Sequence, residues 1–301
     1  MREYEKVWPS IVEKIVKPLR ADVFIHTWDV RGKQISISQG STGPKPSEKK
    51  PIEENKIIDF LWPHLKKIEI SNNNTFFENE KIDKKIDKHN DKFILFAKKI
   101  NDTTWDGSAH PKLILSQLYS IYRSYMLMKE YEEVNNIKYN FIFKSRIDYM
   151  LSSSIDFSDL SSCKENQIFI PHTPCSSHGH PVCDVCLKSH KTGNFKKHFH
   201  NKDICDVFAY GKSKQMGLYM NNYTNWESTI NSMHKENLKI LKDVAAERSF
   251  GINEISHSLK GVDIWRNDAY KINCFYPERL LMFLLRDSWL VPSKLCGRIV
   301  R

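Results

Sequence analysis

Lys144, Arg146 and Asp148 stand within five positions of one another, and together they could hold a phosphate and a divalent cation. They close the run Tyr139-Asn-Phe-Ile-Phe-Lys-Ser-Arg-Ile-Asp148, whose alternation reads as a buried β-strand that surfaces at Ser145. The alternation puts Phe141 and Phe143 on one face, and Ile142 and Lys144 on the other. Arg146 and Asp148 then share one side of the exit. A carboxylate at such a strand end can ligate a metal that bridges to a phosphate-bearing substrate. A surface ion pair is the other reading of Arg-x-Asp.

A second group lies in residues 172–205, where Cys175, Cys183, Cys186 and Cys205 stand among His178, His180, His190, His198 and His200. Cys183-x-x-Cys186 has the spacing of half a zinc site, and Cys175 or His190 would complete four ligands. Reduced thiols with surface histidines are the alternative. Cys163, Cys274 and Cys296 are scattered and the total of seven is odd, so a disulfide framework is not expected and a reducing, cytoplasmic setting is.

These residues need elements to hold them. Residues 5–19 carry Val7, Ile11, Ile15 and Leu19 at helical spacing, and 22–29 read as a strand with His26, Trp28 and Asp29 at its tip. Residues 32–51 read as a loop, 55–65 as a short helix and 67–70 as a short strand. Residues 71–92, rich in Asn, Asp and Lys, read as a polar insertion, either poorly ordered or a solvated helix. The longest helix spans 112–133, with Ile114, Leu118, Ile121, Tyr122, Tyr125 and Met128 as its core face. Gln117 and Ser120 lie one turn apart on it and can face one site. Strands are expected at 167–170 and 206–210, and helices at 212–223, 225–241 and 277–285. The last begins with Pro277 and Glu278. This alternation predicts a single α/β domain with a mostly parallel sheet flanked by helices.

The composition limits the partners. Of 301 residues, 27% are charged and 40% hydrophobic, enough for a core without staples and unlike a disordered chain. No apolar run reaches membrane-spanning length, and Met1-Arg-Glu-Tyr-Glu-Lys lacks the apolar stretch of a secretory signal. The net charge of +10 attracts phosphate on a nucleotide, on nucleic acid or on the inner face of a membrane, where peripheral contact is allowed. A basic, zinc-containing nucleic-acid-binding protein is therefore one reading. The core periodicity of the aromatic residues speaks against nucleic acid, because stacking modules place aromatics beside Lys and Arg on one face.

Four pieces occur in order: Asp-Val-Phe-Ile-His-Thr-Trp-Asp at 22–29, Ser116-Gln-Leu-Tyr-Ser120, Lys144-Ser-Arg-Ile-Asp148, and Asp206-Val-Phe-Ala-Tyr-Gly211 followed by Met216. In this the chain resembles a family of GT-A-fold glycosyltransferases found in surface-polysaccharide gene sets of bacteria and in large DNA viruses. The resemblance implies a GT-A-like (Rossmann-like) fold. It also implies transfer of a sugar from a nucleotide-sugar donor to a glycan or lipid-linked acceptor, assisted by Mn²⁺ or Mg²⁺. Asp148 would be the metal ligand, and Arg146 and Lys144 would face the phosphates. Gln117, Ser120 and Arg2 would line the donor site, Asp206 would bind the acceptor, and Glu278 would be a general base. Members of the family carry a strand and a glycine-rich turn ahead of an arginine like Arg2. The resemblance thus implies either an upstream start or a reduced donor site, as in a noncatalytic relative.

Overall fold

The computed structural model describes residues 4–31, 50–89, 99–101, 104–105, 111–146, 155, 157–161, 163–171, 208–248 and 291–295. It is a mixed α/β structure. Helix α1 (Tyr4–Ile11) continues through a π-helical stretch (Val12–Val16) into one last turn, α2 (Lys17–Leu19). Arg20 ends it in the left-handed region at φ 49°, which turns the chain into β1 (Val23–Trp28). β2 (Val30–Arg31) pairs antiparallel with β3 (Lys50–Pro51), so the segment read as a loop through residue 51 ends in a short ribbon. Helix α3 (Glu54–Leu61) leads to β4 (Leu65–Ser71), which lies parallel to β1.

Residues 73–79 and 82–88, within the expected polar insertion, form α4 (Asn73–Asn79) and α5 (Ile82–Lys88). Asn72 caps α4 by accepting from the Thr75 amide at 3.0 Å. Phe76, Ile82 and Ile86 are buried in the central core, so these helices are packed rather than solvated. The many lysines around them stay outward and mask a sparse apolar stripe.

β5 (Lys99–Asn101) and β6 (Thr104–Trp105) form a second small ribbon. The long helix α6 (Pro111–Asn135) buries Ile114, Leu118, Ile121 and Met128, as its spacing predicts. β7 (Phe141–Ser145) follows. After α7 (Phe157–Ser161) come β8 (Gln167–Pro171), β9 (Phe208–Lys212), α8 (Ser213–Met220), α9 (Asn222–Arg248) and β10 (Val291–Leu295).

The four-stranded sheet has the order β10-β8-β9-β7, with β10 parallel to β8 and β9 antiparallel to both its neighbours. β7, β8 and β10 thus share one direction and β9 runs against them. The expected mostly parallel sheet is corrected at β9: apolar alternation marks a strand without marking its direction. β10 was not expected from the sequence. Its Pro292 weakens any strand signal, and it sits where proline is tolerated, on the outer edge.

β7 alternates as expected. Ile142 joins the core that contains α6, whereas Phe141 and Phe143 pack with Ile15, Leu19 and Tyr210 on the other face. β1 does likewise: Phe24 and Trp28 pack on the α6 side, and Ile25 faces Trp8, Val12 and Leu61. Two helical layers therefore sandwich both strands. Among the described residues no helix is long and apolar enough to cross a membrane.

Candidate functional site

β1 and β7 start side by side, where Tyr139 Oη donates to Asp22 Oδ2 at 2.5 Å. Burial and the Asp22 carboxylate both push the Tyr139 phenol up, so it stays protonated and keeps donating. At the same place Glu132 of α6 is buried and accepts from the Tyr139 amide at 2.8 Å. Burial alone would raise the Glu132 carboxyl, but the bonds from Lys129 and the Tyr139 amide outweigh it and hold it below the usual range. The helix end is thereby tied to the start of the strand.

From that tie both strands run along one cavity of about 760 Å³. Trp8, Val12, Ile15 and Leu19 line it from one helical layer, and Gln117, Ser120, Ile121 and Met128 from the other. Its lining is polar at both ends, with Arg20, Asp22, Tyr139 and Asn140 at the strand starts and Lys144, Ser145 and Arg146 at the carboxyl end of β7, and Gln117 of α6 lines the same cavity. Carboxyl ends of neighbouring strands are the usual place for ligands in open α/β sheets.

Gln117, Ser120, Lys144 and Arg146, which are separated in sequence, therefore come together around one cavity. Lys144 is buried on the α6-facing side of β7, and Arg146 is half-buried at the exit. Arg2, Asp148, Asp206 and Glu278 lie outside the described residues, as do Cys175, Cys183, Cys186 and His190 of the zinc reading.

Ser120 has a more specific position than its spacing suggested. Its Oγ lies 3.1 Å from His26 Nδ1, and Ser71 Oγ lies 3.1 Å from His26 Nε2. Ser71 donates its own proton to Glu69 Oε1 at 3.3 Å, so it accepts from Nε2–H, and Ser120 donates to Nδ1. The Ser120 proton is committed to His26, which leaves its lone pairs for the cavity. His26 is neutral: burial lowers its pKa to about 4, against a smaller opposing pull from Glu69. Arg123 holds Glu69 through Nε and Nη2, both at 2.9 Å to Oε2, and reaches Glu130 with Nη1 at 2.8 Å. Lys67 joins Glu130 at 3.1 Å.

Trp28 belongs to packing, as does most of the aromatic content nearby. It is stacked at 5.9 Å on Tyr119 and lies 5.1 Å from Phe76, inside a cluster that continues to Tyr122 and Tyr223. Asp29 accepts from Asn72 Nδ2 at 2.6 Å and so ties the ends of β1 and β4.

No family model matches the chain, and no curated protein or solved structure matches it either. The site is therefore read from its own groups. The described lining carries the cations Lys144 and Arg146 at the carboxyl end of β7 and Arg20 at the opposite end, beside Asp22, a lining carboxylate already bonded to Tyr139. Among the described residues no three or more His, Cys, Asp or Glu side chains gather as a metal site. The described rim suits an anion. Residues missed from the sequence are Ser71, Glu69, Ser124 and Arg123, which come from elements far apart. A signal existed for one of them: Ser120 and Ser124 are four apart on α6 and face the same strand.

Proposed function

We propose that this chain is a nucleotide-sugar-dependent glycosyltransferase with a GT-A-like fold, binding the donor's diphosphate at the end of the cavity that holds Lys144 and Arg146. The observation that carries this reading is that Gln117, Ser120, Lys144 and Arg146, separated in sequence, line one cavity. Arg146 offers a planar fork for phosphate oxygens, and Lys144 a point charge behind it. Gln117 donates to a hydroxyl of the ribose or sugar, and Ser120 accepts one with its lone pairs.

In the transfer, the bond between the sugar's anomeric carbon and the diphosphate oxygen breaks, and the electron pair leaves with the diphosphate. Arg146 and Lys144 stabilise the negative charge that grows on it. The acceptor hydroxyl, on a glycan or lipid-linked glycan, forms the new bond and loses its proton to a carboxylate. Asp206 and Glu278 are the groups the family resemblance supplies for that side. A divalent cation, Mn²⁺ or Mg²⁺, would neutralise diphosphate charge from Asp148. The described rim adds no carboxylate cluster to that ligand.

Calorimetry with nucleoside diphosphates and Mn²⁺ tests the reading. We expect binding that needs the metal and is lost in Asp148→Ala. Arg146→Ala weakens it by a factor of about ten or more, the value of one hydrogen bond to a charged group. Absence of binding by the parent chain, or unchanged binding in both variants, overturns the proposal.

A further inference from the structure

Ser116, Ser120 and Ser124 follow one another at four-residue steps on α6. Two of them turn their hydroxyls back onto the helix: Ser116 donates to Lys112 O at 2.7 Å and Ser124 to Ser120 O at 2.9 Å. Ser124 also accepts from the His26 amide at 3.1 Å, so its hydroxyl is in use as donor and as acceptor. Ser120 reaches off the helix instead, to the His26 ring, and it lines the cavity.

The proton direction along that contact is set about one turn further along the same helix. Arg123 has only donors, and it spends Nε and Nη2 on Glu69. The Glu69 carboxylate has only lone pairs, so Ser71 gives it a proton and turns its own lone pairs to His26 Nε2. Nε2 therefore holds the single proton of the neutral ring, with Glu69 Oε1 3.7 Å away. Nδ1 is left bare, and the Ser120 proton goes to it. Trp28 and Tyr119 stand edge-on to the ring at 5.0 and 5.4 Å and hold its plane. Arg123, Glu69 and Ser71 stand behind His26, outside the cavity lining.

An ordinary serine hydroxyl rotates to suit a donor or an acceptor. Ser120 has no such choice, and what it shows the cavity is lone pairs without a proton. Such a group repels a phosphate oxygen and takes a hydroxyl. It therefore orders a phosphorylated ligand along the cavity, with the charge at Lys144 and Arg146 and an alcohol at Ser120.

We infer that Arg123, Glu69, Ser71 and His26 are positioning residues that fix Ser120 as a hydrogen-bond acceptor, and that Ser120 selects its ligand by an alcohol hydroxyl, on the ribose or on the sugar of a nucleotide sugar. The ligand named here rests on the glycosyltransferase reading, whereas the direction of the relay does not. Glu69 sets that direction for every bond that follows. In Glu69→Gln the amide oxygen has to take the place of Oε2, which accepts from both guanidinium nitrogens at 2.9 Å. The amide NH2 then stands where Oε1 was, 3.3 Å from Ser71 Oγ. Ser71 accepts from it and donates to Nε2, Nδ1 gains the proton and donates to Ser120, and the Ser120 proton turns to the cavity.

Two measurements on the full chain test this. Without ligand, imidazole nitrogen shifts should show Nε2–H in the parent and Nδ1–H in Glu69→Gln. Nδ1–H in the parent, or the same tautomer in both, overturns the relay. Calorimetry with Mn²⁺ then compares uridine and guanosine diphosphates with forms in which one ribose hydroxyl is replaced by hydrogen or by fluorine, which accepts but cannot donate. A second series, UDP-glucose and GDP-mannose, carries the same replacements on the sugar. At the selected position the parent should lose about tenfold on either replacement, with the fluoro form no better than the hydrogen form. Glu69→Gln should bind the fluoro form better than the hydrogen form, and Ser120→Ala should bind all three alike. A merely structural Glu69 would weaken all ligands together and keep their order. An unchanged order in Glu69→Gln, or discrimination that survives Ser120→Ala, overturns selection by Ser120. The series in which the order reverses tells ribose from sugar. Absence of binding to the parent by every one of these ligands overturns the glycosyltransferase reading and the ligand named here, while the tautomer still decides the relay.

Discussion

The β1–β4 wing and the β7–β10 wing share the helix α6 but are built from opposite chemistry. In the first, His26, Ser120, Ser71, Glu69, Arg123, Glu130 and Lys67 form a continuous polar network under a parallel pair. In the second, Phe169 stacks on Tyr210 at 4.7 Å and 5°, and Phe143 lies on its other neighbour side at 5.3 Å and 23°. The polar network needs each member to keep its partner, whereas the rings need only area and shape. The two wings should therefore fail under different stresses.

The largest effect is expected in the aromatic wing. Tyr210→Ala removes a ring that is 1% exposed and should cost about 4 kcal/mol, read from the urea midpoint. That loss should be the same at pH 7 and pH 5.5. A strong pH dependence in it would break the contrast between the wings.

The polar wing carries the pH response. His26 has its folded pKa lowered to about 4, below the ordinary 6.5, so the unfolded chain takes up the proton first. The stability due to neutral His26 is complete above about pH 6.5 and falls as pH drops toward 4, by about 3 kcal/mol in all. Most of this precedes the titration of the carboxylates. Amide exchange of β1 between pH 7 and 5 should accelerate once corrected for intrinsic rates, while that of β9 changes less. Equal acceleration in both would erase the distinction.

Arg123→Ala comes next. It strips Glu69 and Glu130 of a shared cation, and because Arg123 is a quarter exposed we discount the cost to about 2 kcal/mol. Raising the salt concentration should shrink this cost and leave that of Tyr210→Ala unchanged. The smallest effect is Ser120→Ala, about 1 kcal/mol for the lost bond to His26 Nδ1. Imidazole nitrogen shifts sharpen the assignment: the parent should show the Nε2–H tautomer, and the variant a less uniform population.

What could be read from the sequence divides along the same line. The α6 stripe and the β7 alternation were legible because each is periodic within one segment, and both faces of β7 fall where the pattern puts them. Gln117 and Ser120 were paired by helical spacing, and Lys144 and Arg146 by position at a strand end. The His26 network was not legible, since Glu69, Ser71 and Arg123 meet it from other elements. The packed role of α4 and α5 was hidden by their charge. Ile82 and Ile86, four apart, were the trace that could have shown it. The reversed direction of β9 has no local signature.

The Asp22–Tyr139 bond has a mechanical meaning beyond the start it gives the two strands. It is a tie at one end of two strands that are otherwise unpaired with each other, so it acts as a fulcrum. Any spreading of the wings about it leaves Asp22 nearly fixed and carries Arg146 away from Trp28 through the widest arc. The end that holds Lys144 and Arg146 is thus the one whose aperture is most sensitive to a small rotation.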